Sequence, residues 1–125
     1  MDIFNDERRL KSRVNNLRAA MIVGRQLRNN IRLRTASFSG VKTIGFFYVR
    51  ENISCRLDID FEVMSGRAKV ILVRKDTMVD VATSTGKEAR IVKLDKGFNR
   101  LRLVGEKADV KLTLVLTKGI TYLDE

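Results

Sequence analysis

No histidine, proline or tryptophan occurs in this sequence, and cysteine occurs once, at Cys55. Without histidine the commonest general base and metal ligand is missing, and no Ser-His-Asp or Cys-His arrangement can be built. A lone thiol excludes an internal disulfide and a cysteine-based metal cluster. Cys55 runs in phase with Leu57, Ile59 and Phe61, which points it into a core where a thiol is inert. Without proline, every turn depends on glycine, asparagine or aspartate. Without tryptophan, a sugar-stacking platform is weakened. Long apolar runs are missing too: Ala19–Gly24 and Ile44–Val49 fall far short of the roughly 20 residues that cross a bilayer. Met1 is followed by Asp2, Asn5, Asp6 and Glu7 with no apolar stretch behind the early arginines, so no signal peptide is expected and the default location is cytoplasmic. Neither an enzyme nor a cofactor is expected from such a residue set.

Charge is abundant and uneven. The net charge is +10, and residues 1–34 hold nine basic residues, eight of them arginine, against three acidic ones. Such a balance favours association with any polyanion, and its plain reading is nonspecific electrostatics rather than a site. The specific alternative is polyanion or nucleic-acid binding through Arg8, Arg9, Arg13, Arg18, Arg25, Arg28, Arg32 and Arg34.

Residues 1–30 read as a basic N-terminal helix, capped by Asn5 or Asp6, with Asp6 and Glu7 on the positive end of its dipole. Within it Leu10, Val14, Leu17 and Met21 fall inside an arc of roughly 60° at helical spacing. Val23, Leu27 and Ile31 lie about 110° away from that arc. The changeover falls at Gly24, so either the helix bends there or one rigid helix shows two faces to two neighbours. The 4-3-4 spacing of Leu10, Val14, Leu17 and Met21 is that of a short coiled-coil seam, which makes those four residues the expected oligomer or partner interface. The alternative is that the helix packs twice on its own body.

Residues 31–125 change to period two. Cys55, Leu57, Ile59, Phe61 and Val63 alternate with Arg56, Asp58, Asp60 and Glu62, and Val110, Leu112, Leu114 and Leu116 alternate with polar residues in the same way. Val70–Val73 is an unbroken apolar run suited to a strand covered on both faces. Turn signals recur at Ser39-Gly40, Glu51-Asn52, Ser65-Gly66, Lys75-Asp76, Thr85-Gly86, Lys96-Gly97, Gly105-Glu106 and Lys118-Gly119. About eight short antiparallel strands follow, forming a mainly β, two-sheet sandwich of jelly-roll type. Asp58, Asp60 and Glu62 share one sheet face; calcium or acid/base work is the minor reading beside charge pairing with a basic row such as Arg100 and Arg102, or Arg67 and Lys69. Thr85-Gly86-Lys87 lacks the first glycine of a phosphate loop and reads as a hairpin turn. Phe46, Phe47 and Tyr48 lie in one strand, placing an aromatic on each face. One face is expected in the core and the other under the helix or at a subunit contact, with an exposed platform for sugar or single-stranded bases as the minor alternative.

The closing stretch, Lys96-Gly97-Phe98-Asn99-Arg100-Leu101-Arg102-Leu103-Val104-Gly105 followed by Ala108–Leu116, resembles the last hairpin of galactose-binding-like jelly-roll domains, over about a sixth of the chain. The resemblance implies a fold, and domains of that kind commonly bind glycans or act as assembly modules. Three functions follow, in order: a non-enzymatic interaction or assembly module, a homo-oligomer or bound to a protein partner; a polyanion binder through the arginines; and a glycan binder through the sandwich.

Overall fold

The computed structural model describes residues 4, 6–12, 15–75 and 77–118. Among them one short helix, α1 (Glu7–Lys11), precedes seven strands: β1 (Asn16–Arg18), β2 (Met21–Leu27), β3 (Asn30–Val49), β4 (Ile53–Arg74), β5 (Thr77–Ala82), β6 (Gly86–Leu94) and β7 (Gly97–Lys118). All pairings are antiparallel. The strands follow the order β1-β3-β7-β4-β5, with β2 also on β3 and β6 also on β4.

Three long strands carry the architecture, because β3, β4 and β7 each run through both layers of a sandwich. The first layer joins β2, Asn30–Thr35 of β3, the 110–118 part of β7, the 55–63 part of β4, and β6. The second joins β1, the later part of β3, the 97–106 part of β7, the 67–74 part of β4, and β5. The chain bends between layers at register shifts in β3 (Thr35/Phe38/Gly40) and β4 (Val63/Ser65/Arg67), facing the Glu106–Lys107 region of β7. Gly66 has a left-handed φ of 72°, and a side chain there would strike the main chain of Glu106 and Lys107.

Three of the eight turn signals, at Ser39-Gly40, Ser65-Gly66 and Gly105-Glu106, therefore mark bends inside long strands. Seven long and short strands replace the expected eight short ones, because glycine and left-handed residues serve bulges as well as turns. The closing stretch that resembles a hairpin is likewise one bent strand, β7. The Thr85-Gly86-Lys87 segment links β5 in one layer to β6 in the other, and these strands do not pair with each other. Lys118-Gly119 ends outside the described residues.

The main core lies between the layers. Cys55, Leu57, Ile59 and Phe61 from β4, Leu112, Leu114 and Leu116 from β7, and Phe38, Phe47, Leu72 and Leu101 fill it. A second apolar cluster lies on the outer face of the second layer, where Leu10 of α1 closes over Val41, Ile71, Val73 and Val104. The Val70–Val73 run is thus covered on both sides, Val70 and Leu72 by the main core and Ile71 and Val73 under α1.

The helix is much shorter than its sequence pattern predicts. Residues 21–27 are a strand, paired from Met21↔Ala36 to Leu27↔Asn30 through a tight turn at Arg28-Asn29. Arg28 takes a left-handed φ of 57° there. Gly24 marks no helix bend. It lies opposite Leu33, where a side chain would approach Leu33 Cδ1 to 2.6 Å, so glycine permits close approach of β2 to β3. No helix among the described residues is long and apolar enough to cross a membrane.

Candidate functional site

Alternation along β3 buries Phe47 and Val49 and turns Phe46 and Tyr48 outward. Phe98 pairs with Tyr48 across β3 and β7, and their rings meet at 5.1 Å between centroids and 59° between planes. All three outward rings are mostly exposed: Phe46 54%, Tyr48 53% and Phe98 68%. Neither α1 nor another described element covers them. Phe46 and Phe98 line a groove of about 640 Å³ that also takes in Lys11, Thr43, Lys75, Lys96 and Arg100, while Tyr48 packs behind Phe98. Among the described residues no carboxylate lines it, so its charged groups are all cations.

Polar bonds to the main chain hold the rings in place. Asn99, wholly buried, donates through Nδ2 to the carbonyls of Phe47, Asp95 and Gly97 and accepts from the Asp95 amide at 3.0 Å. That amide ties the β6–β7 turn to β3 and fixes where Lys96 and Phe98 project. The Lys96 main-chain N–H donates to Asn52 Oδ1 at 2.8 Å. Gln26 of β2 grips the Phe46 main chain in both directions, donating to its carbonyl at 2.7 Å and accepting from its N–H at 2.8 Å.

Two arginines of β7 hold the end of α1, and one of them, Arg100, lines the groove. Arg100 donates to the carbonyls of Lys11 and Ser12, both at 2.8 Å. Arg102 donates to the carbonyls of Arg9, Leu10 and Ser12. Helix C-terminal carbonyls have no partner within the helix and carry partial negative charge, so guanidinium groups satisfy both needs. Burial, with the Arg100 charge beside it, pushes the Arg102 pKa down to about 10, which leaves it cationic at neutral pH. At the outer end of α1, Lys11 pairs with Glu7 at 2.8 Å and holds that carboxyl below its ordinary value.

The four residues of the expected coiled-coil seam do not share a helix face. Leu10 lies on α1 and is fully buried within its own chain; Leu17 lies on β1, half-buried against the main core; Met21 begins β2 and is partly exposed. Val14 lies outside the described residues. The helical stripe fails because β2 pairs with β3 and its alternation is period two.

The arginines fall into separate groups. Arg8 and Arg9 are exposed on α1, where Arg9 pairs with Asp6 at 3.4 Å. Arg13 lies outside the described residues. Arg18 is exposed on β1. Arg25, Arg28, Arg32 and Arg34 gather on the β2–β3 hairpin. Asp58, Asp60 and Glu62 share an outer face as expected, but their partners differ. Arg56 pairs with Asp58 at 3.0 Å and Lys87 approaches Asp60 at 3.9 Å, while the register sets Glu62 opposite Lys111. Arg67 pairs instead with Glu106, Lys69 with Asp80, and Arg100 and Arg102 with the helix end. No group of three or more potential metal ligands occurs among the described residues.

No family model matches the sequence, and no curated protein is significantly similar to it. Among solved structures, the chain is similar to a GH26-CBM35 beta-(1,4)-mannanase of Podospora anserina (TM-score 0.48, 14% identity), spanning 92% of this chain but only 28% of that one. It is also similar to a family 29 carbohydrate binding module complexed with mannohexaose (TM-score 0.41, 14% identity), covering 82% of this chain and 81% of the other. The Drosophila melanogaster CENP-C cupin domain matches at TM-score 0.34 and 11% identity, over 78% and 75%. These likenesses concern strand arrangement alone and carry no residue role.

Proposed function

We propose that this chain is a non-enzymatic binding module whose ligand is an acidic glycan, seated in the groove between Phe46, Phe98 and the lysines Lys11, Lys75 and Lys96. One observation carries the reading: exposed aromatic rings and cations share one groove that, among the described residues, has no carboxylate. Ring faces offer apolar area to the C–H face of a sugar. A neutral sugar is held best where acceptors such as Asp stand beside groups such as Asn that both accept from and donate to its hydroxyls. This groove supplies mainly donors, which suit carboxylate or sulfate groups. The net charge of +10 adds attraction at longer range.

Affinity electrophoresis and calorimetry of the full chain test this, with polygalacturonate, its carboxyl-reduced form and oligo(dT) as ligands. Retardation by polygalacturonate, lost on carboxyl reduction and lost with Phe98→Ala, is the expected result. Binding to oligo(dT) alone, or equal binding to the reduced polymer, overturns the reading.

A further inference from the structure

The first layer carries a second surface on the opposite side of the sandwich. Ile31 and Leu33 face the main core, so Arg32 and Arg34 between them face outward. The register sets Arg25 opposite Arg32 on β2, and Thr113 opposite Arg32 on β7. One row along, Val23 and Lys111 flank Arg34. A shallow groove of about 430 Å³ runs over these side chains. Among the described residues Arg25, Arg32, Arg34 and Lys111 make no ion pair. The nearest acid by register is Glu62, opposite Lys111 on β4, with Asp60 beyond Thr113.

Two pairs of like charges, Arg25 with Arg32 and Arg34 with Lys111, therefore stand directly opposite each other on adjacent strands. Such pairs destabilise a sheet, and alternating outward positions on these strands could hold neutral residues at no cost to the core. An anionic ligand laid across the strands converts that repulsion into attraction. Arg32 and Arg34 lie about 7 Å apart along β3, at two residues of strand rise, which suits anionic groups repeated along a polymer rather than one small ion.

We infer that Arg25, Arg32, Arg34 and Lys111 form a second site for an acidic glycan, facing away from the aromatic groove, so that one chain can bridge two polymer strands. The choice of ligand class rests on the proposed function; the site itself rests on the crowded cations.

The test separates the two. In a chain with the groove disabled by Phe98→Ala, Lys75→Gln and Lys96→Gln, binding to dextran sulfate is measured against salt concentration. Adding Arg32→Gln and Arg34→Gln is expected to reduce the slope of log affinity on log salt by about two, one for each cation removed. Unmodified protein is expected to gather dextran sulfate into a light-scattering network, which either set of substitutions abolishes while leaving binding through the other face. An unchanged slope, or a network that survives Arg32→Gln with Arg34→Gln, overturns the second site. Binding of oligo(dT) but not dextran sulfate in the groove-disabled chain overturns the glycan assignment. Polygalacturonate binding unaffected by the groove substitutions overturns only the proposed function.

Discussion

Gln26 and Phe46, twenty residues apart in sequence, are joined as if they were opposite members of a sheet ladder. The side-chain amide of Gln26 takes the place of a neighbouring peptide and satisfies both the N–H and the carbonyl of Phe46. It does so one residue past a register shift at Thr43/Gly45, where β3 departs from regular pairing with β7. The exposed position of the Phe46 ring thus depends on a polar side chain from the other layer.

Replacing that amide tests the dependence. Gln26→Leu, similar in size but unable to bond, is expected to lower stability by about 1–2 kcal/mol in urea denaturation. It should also weaken polygalacturonate binding more than its stability loss explains. Unaltered affinity in this variant would separate Phe46 from the ligand.

Phe98 and Asn99 are neighbours with opposite expected phenotypes. Phe98 is largely exposed, so Phe98→Ala should leave stability within about 0.5 kcal/mol while lowering acidic-glycan affinity roughly threefold to tenfold. Asn99→Ala removes the side-chain partner of a buried Phe47 carbonyl and of half-buried main-chain groups of Asp95 and Gly97, and should cost about 2–4 kcal/mol. Thermal melting and calorimetry on both variants check the contrast.

Arg102 ties the helix end to the sheet, and its removal should release α1. Arg102→Met is expected to lower stability by about 2–4 kcal/mol at neutral pH, since the Leu10 carbonyl loses its side-chain donor and the Arg9 carbonyl keeps only the Ser12 N–H. The pH dependence has a definite sign. Above about pH 10 the folded chain has released the Arg102 proton while the unfolded chain still holds it. Stability rises with pH wherever the unfolded state binds more protons, so the contribution of Arg102 grows there. The stability gap between wild type and Arg102→Met, measured by urea at pH 8 and pH 10.5, should therefore widen; a constant or shrinking gap contradicts this.

Crowding of cations on the β2–β3 hairpin predicts a gain of stability on charge reversal. Arg32→Glu replaces repulsion from Arg25 by attraction and should raise stability by about 0.5–1 kcal/mol without ligand, while weakening dextran sulfate binding. Differential scanning calorimetry with and without polymer reads both effects.

Much of the β architecture was legible because alternation is strong wherever one strand face meets the core. Cys55 to Phe61 and Val110 to Leu116 behave as their period-two pattern requires. The N-terminal quarter departs from its helical pattern for a physical reason. Leu10, Leu17 and Met21 satisfy helical spacing by coincidence, while Ile22, Gly24 and Gln26 face inward at the spacing of a strand. The signal for that hairpin was the Arg28-Asn29 pair between two alternating runs, since asparagine is at home in tight turns. The groove was half legible. One outward aromatic on β3 followed from alternation, but its neighbour Phe98 and the lysines came together only through the β3–β7 register. The roles of Arg100 and Arg102 were hidden because an arginine that alternates with leucine looks the same whether it meets water or a helix end.

Since β3, β4 and β7 each continue from one layer into the other, the two layers cannot separate or slide without breaking hydrogen-bonded backbone. Tension applied to a polymer held at Phe98 would travel along β7 to Thr113 on the far side as shear, the loading direction in which a ladder of many parallel bonds yields last.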